Sequence, residues 1–167
     1  MQKLIILIPL FAFCGQANKN THPQTVHIMD TLTIKHINPD GLIKNPAFTN
    51  VITIQGNAKT IYIGEMNANN AAGEIVGKGD LKAQTEQALK NVETALHAAG
   101  GDWENLVKWT VYVVHGQDLR AGFEGFQKVW GNRPNPPVVT MQFVAGLANP
   151  DYLVGIEAVA VVPEDKK

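Results

Sequence analysis

The run DLKAQTEQALKNVETALHAAGG, residues 80–101, followed closely by LVKWTVYVV, residues 106–114, decides how this chain folds. In the first run Leu81, Ala88, Leu89, Val92, Ala95, Leu96 and Ala99 fall on one helical stripe, with Lys82, Glu86, Lys90 and Glu93 off it. Asp80 offers a side-chain acceptor to the first unpaired amides, and Gly100-Gly101 ends the helix in the left-handed conformation that glycine tolerates. The second run is apolar, rich in β-branched residues, and too short for another such helix; it reads as a strand. A helix over 80–99 packed on a sheet containing 106–114 is therefore expected.

Working outward, residues 117–130 predict a second helix with Leu119, Phe123, Phe126 and Trp130 on its buried face. Gly122 and Gly125 each cost it about 1 kcal/mol relative to alanine, so close packing is the expected reason for them. Beyond the proline-rich connection Gly131 to Pro137, residues 138–144 and 153–162 are the last two strands, parted by Asn149-Pro150-Asp151. Upstream, residues 31–38 alternate and suggest a first strand. Asn50 to Gln55 and Thr60 to Gly64 predict a hairpin turning at Gly56-Asn57-Ala58-Lys59. Asn67 to Lys78 is a loop.

The order β-β-β-α-β-α-β-β gives an α+β domain, with one mixed six-stranded sheet covered on one face by two helices. Strand alternation assigns Val139, Met141 and Phe143, together with Leu153, Val159 and Val161, to the uncovered face. Burial of such a face by self-association is expected.

Composition excludes more than any motif admits. The 167 residues include no serine, one cysteine (Cys14) and two arginines (Arg120 and Arg133). Serine-based hydrolysis and acylation are ruled out, as is a thiol nucleophile in the folded domain. The five histidines include no His-x-x-x-His or His-x-His pair, and no metal site is expected. A formal net charge of −1 without a basic run argues against nucleic acid. No Gly-rich phosphate loop stands between a strand and a helix.

The N-terminus carries one early cation, Lys3, before the unbroken apolar run Leu4 to Phe13. That run is too short to cross a bilayer and suits an export signal spanning residues 1–17. Two processing sites stand open: Gly15-Gln16-Ala17, or lipid attachment at Cys14 with the signal ending before it. Residues 18–31 read as a polar tether, and residues 32–163 as the domain. A periplasmic, secreted or lipid-anchored protein is expected, touching a membrane only through Cys14.

From about Ile34 to Val162 the chain resembles the Rid (YjgF) family. The matching pieces are Asn45-Pro46-Ala47-Phe48, Ile61-Tyr62-Ile63-Gly64, the helix 84–101 with Leu89-x-x-Val92, and Val107 to Val113. Phe123-Glu124-Gly125-Phe126, Pro136-Pro137 before a strand, and the terminal Ile156 to Val161 complete the pattern. Each is weak alone, but their order and spacing are specific. The resemblance implies a chorismate-mutase-like fold, a homotrimer with a barrel core, small-ligand clefts between subunits, and no metal or organic cofactor. It also implies hydrolysis of reactive enamines and imines to keto acids and ammonia. In such proteins an arginine at the start of the fifth strand grips the substrate carboxylate.

This sequence departs from that pattern in the cleft. Aligned on Pro137 and Ile156-Glu157-Ala158, the arginine position holds Val139, and a neighbouring cysteine becomes Met141. The cleft glutamate becomes Gly155, a serine of the third strand Ile63, and an N-terminal tyrosine Phe48. An asparagine of the second helix becomes Arg120. Two readings follow: a cleft that has drifted out of use, or one retuned to a less polar ligand with Arg120 as its fixed positive charge. Arg120 also reads as a solvated helix residue. Glu157 matches a common family glutamate that could orient a water, yet it stands two residues and about 7 Å from Gly155 on the same strand face. An enamine or imine deaminase, a non-catalytic ligand-binding trimer, and an assembly module are the functions to separate.

Overall fold

The computed structural model describes residues 31–164. The residues expected to form an export signal, with Cys14, and nearly all of the expected tether lie outside the described residues. The elements are β1 (Thr33–Ile37), β2 (Val51–Gln55), β3 (Ala58–Met66), α1 (Leu81–Ala98), β4 (Leu106–Val114), α2 (Leu119–Trp130), β5 (Val138–Val144) and β6 (Val154–Pro163), with one 3₁₀ turn at Trp103–Asn105. Their order is the one expected.

Helix α1 starts and stops for the reasons foreseen. The Asp80 carboxylate accepts from the Ala83 amide at 3.1 Å, and Gly100 follows α1 at φ +81°. Asp118 caps α2 by accepting from the Arg120 amide at 2.9 Å, so that helix begins at Leu119 rather than Gln117. At its other end Arg133 donates to the carbonyls of Val129 and Trp130 at 2.8 and 2.6 Å, satisfying acceptors left open by the last turn. Gly125 allows α2 to lie against α1: a Cβ there would stand 2.6 Å from the Lys82 carbonyl oxygen.

The six strands divide between two sheets instead of forming one. A four-stranded sheet runs β3-β6-β4-β5, with β4 and β5 parallel and the other pairs antiparallel; β1 and β2 pair separately. The expected β2–β3 pairing is absent: β2 pairs with β1 and β3 with β6, with Gly56 at φ +105° between them. Alternation fixes which residues share a strand face, not which strand lies alongside. Thr49 ties the small sheet to the body, donating its hydroxyl to the Pro136 carbonyl and its amide to that of Pro137.

Register also corrects the uncovered face. Val139, Met141 and Phe143 stand beside Trp109, Val111 and Val113, which places them on the helix side. Leu153 packs against the core, whereas Val159 and Val161, beside Tyr62 and Thr60, lie on the open face as expected, Val161 buried there. The core lies between the sheet and the helices. It is closed at one end by Trp103, Trp109 and Trp130, whose rings meet edge to face at 5.5–6.3 Å.

Candidate functional site

A cavity of about 120 Å³ lies on the helix side of the sheet, under α2. Its floor is Trp109, Val111 and Val113 of β4 with Val154 and Ile156 of β6; Val139 and Met141 of β5 form a side wall. Leu81, Thr85 and Leu89 of α1 and the first two turns of α2 form the roof. The stripe expected to be buried on α2 is only partly so. Trp130 is buried and Phe126 half-buried, but Leu119 and Phe123 are 37% and 46% exposed at the mouth.

Of the residues singled out in the sequence, the fold brings Val139 and Met141 together in this wall. Phe48 is half-buried in the turn that contributes Ala47 to the lining. Ile63 does not join them: it is buried on β3, at the opposite edge of the sheet from β5. Three strand spacings separate those edges, about 14 Å. Gly155 and Glu157 lie on the other face of the sheet, since their neighbours Val154, Ile156 and Ala158 point into the core.

On that open face Glu157 accepts a hydrogen bond from the Tyr112 hydroxyl at 3.0 Å. The bond holds the phenol protonated, desolvation and the carboxylates of Glu157 and Glu65 act the same way, and the Tyr112 pKa lies above its ordinary 10.0. Glu65 reaches across Gly155 from β3: a Cβ on Gly155 would fall 2.5 Å from its Oε1. Asn67 steadies that carboxylate by donating to it at 2.7 Å. Tyr112 and Glu65 escaped the sequence reading. Their meeting depends on the β4–β6 and β3–β6 registers, which no local pattern encodes.

Neither arginine faces the cavity wall. Arg133 is committed to the end of α2 and to the face of Trp103, 5.6 Å from the ring centre. The Arg120 side chain is 85% exposed on the first turn of α2, with Glu124 at 4.0 Å. Among the described residues no group of three or more potential metal-ligating side chains occurs.

The two helices on one face of a mixed sheet, with paired strands preceding them, define an α+β domain of the chorismate-mutase-like kind. The family model described as endoribonuclease L-PSP matches residues 45–162, and the chain belongs to this family, the YjgF/Rid family. A RutC family protein of Pyrococcus horikoshii is 36% identical over 97 residues, 58% of this chain and 74% of the relative. Human 2-iminobutanoate/2-iminopropanoate deaminase is 34% identical over 104 residues, 62% of this chain and 73% of the relative. Among solved structures, the Rid protein YyfB of Yersinia pestis, itself described as of unknown function, superposes with a TM-score of 0.70 at 30% identity. That likeness covers 77% of this chain and 98% of YyfB. The YjgF protein of E. coli gives 0.56 at 30% identity, covering 64% and 81%.

Proposed function

We propose that this chain is a homotrimeric small-molecule binder of the Rid family whose ligand clefts lie between subunits and accept weakly polar metabolites. The observation that carries the reading is the β5 wall. Where the resemblance sets a carboxylate-gripping arginine, Val139 stands in an apolar lining beside Met141, and Arg133 is occupied elsewhere. Assembly is supported by the position of the cleft residues. Ile63 and Val139 occupy opposite edges of one sheet, so a cleft containing both needs two copies. The edge strand β5 also carries no charge and exposes Met141 and Phe143 by half, a surface that invites pairing.

Imine or enamine hydrolysis, which the name of the human relative states for that protein, is the activity to measure. Losing a bidentate carboxylate contact costs a few kcal/mol, about a hundredfold or more in rate. Freshly generated 2-iminobutanoate should therefore disappear with this protein at least about a hundredfold more slowly than with an arginine-bearing relative. In this reading Arg120 supplies the fixed guanidinium to reach a ligand and Glu157 the carboxylate to orient a water. Residual turnover abolished by Arg120→Ala supports that role, and full retention removes it. Rates equal to the relative's contradict the weakly polar cleft.

Ribonuclease activity gains no support from this chain, whose net charge is −1 and whose sequence holds no run of basic residues for phosphates. Export through residues 1–17 belongs to the same proposal, with Cys14 as a lipid attachment point. Incorporation of labelled palmitate that is lost in Cys14→Ala would establish the anchor, and its absence would favour cleavage after Ala17.

A further inference from the structure

We propose that the groove beneath the β1–β2 ribbon binds a small zwitterion, a molecule with an ammonium group at one end and a carboxylate at the other. The groove measures about 470 Å³, shares no lining residue with the cavity under α2, and includes no residue of β5. It therefore stands apart from the ligand cleft proposed above. The opening exists because the strands divide between two sheets. Thr49 ties the ribbon to the body at Pro136 and Pro137. Beyond that tie, the ribbon face carrying Ile34 and His36 stands over the 3₁₀ turn and the connection from α2 to β5. Asn135 of that connection, at φ +57°, is the one non-glycine residue at positive φ among the described residues.

The polar groups left over in the lining fix the character of the ligand. Thr49 spends its hydroxyl proton on Pro136, so His36 donates its Nδ1–H to that hydroxyl at 3.2 Å and, while neutral, keeps Nε2 as an acceptor. Asp102 uses one carboxylate oxygen on the Trp103 amide at 2.6 Å and on His97 at 3.6 Å. Its other oxygen and the Glu104 carboxylate have no partner among the described residues. Two donors stand against these acceptors. Arg133 spends only Nη1 on the end of α2, which leaves Nε and Nη2. Asn105 gives its oxygen to the Asp102 amide at 2.9 Å, which leaves its NH₂ group. An anion alone would meet Asp102 and Glu104, and a cation alone would meet Arg133. A molecule carrying both signs satisfies each. Ile34 and Pro134 supply an apolar strip for the short chain between its charges.

The test is a titration of the full-length protein with 4-aminobutanoate, followed by NMR. Three signals report on it: the His36 imidazole, the Trp130 indole N–H, which donates to the Arg133 carbonyl at 3.1 Å, and the Met141 methyl in the other cavity. Saturable binding that moves the first two and leaves Met141 in place is expected. Butanoate and butylammonium, each keeping one of the two charges, should bind at least about tenfold more weakly. Glu104→Gln removes a charge from an exposed position without disturbing the fold. It should weaken 4-aminobutanoate by a similar factor while the affinity for butanoate does not fall. No saturable binding, a response confined to Met141, a single-charge analogue bound as tightly, or unchanged affinity in Glu104→Gln overturns the site.

Discussion

The hydroxyl of Tyr112 shows how one pair of atoms can report on a whole sheet face. It donates to Glu157 across the β4–β6 boundary, and the carboxylates of Glu157 and Glu65 oppose its ionisation. A phenol whose pKa is raised on folding contributes stability that is present below pH 10 and is lost as the pH climbs through the raised value. Glu157→Gln should therefore lower the pKa of Tyr112, read by ultraviolet difference titration with Tyr112→Phe as the blank. An unchanged titration would mean the pair does not form. The two arginines make a contrasting case. Arg133→Ala should cost about 1–2 kcal/mol in urea unfolding, because two helix carbonyls lose their donor and Trp103 its covering cation. Arg120→Ala should shift stability by no more than about 0.5 kcal/mol, as expected of a side chain 85% exposed.

Among the elements, α2 depends most on a single position. Gly125→Ala would drive a methyl to 2.6 Å from the Lys82 carbonyl oxygen, a backbone atom that cannot swing away. A loss of about 1–3 kcal/mol is expected despite alanine's better helix propensity. Gly122→Ala meets the flexible end of Leu81 at 3.2 Å and should cost less. Thermal unfolding of the two variants side by side checks the order. Both helices were legible in the sequence from their 3.6-residue stripes, but only α1, bounded by Asp80 and Gly100, had its limits read there. The strands were legible as segments but not as partners. β2 looked like the mate of β3, and Val139, Met141 and Phe143 seemed to face outward, since alternation leaves register open and register decides the face. For the same reason the open-face meeting of Glu65, Tyr112 and Glu157 could not be read from the chain, and of β5 only the apolar character was legible, not the face it lines.

At the scale of the molecule, the four-stranded sheet ends, among the described residues, on β3 and on β5, and β5 carries no charge. Long uncharged edge strands are seldom left open in soluble proteins. Sedimentation velocity at micromolar concentration should give three times the chain mass, and Phe143→Lys, which places a charge on the half-exposed edge, should shift the sample toward monomer. A monomeric unmodified protein would remove the inter-subunit cleft from the account. The chain belongs to a family with relatives named for imine hydrolysis, and Val139 is proposed to stand at the place of their carboxylate-gripping arginine. The most direct measurement is the rate of 2-iminobutanoate loss for the unmodified protein beside Val139→Arg. The account predicts slow loss by the first and a gain of about tenfold or more in the second, as a guanidinium returns to the β5 wall. Fast turnover without that arginine, or no gain from restoring it in a folded variant, would contradict it.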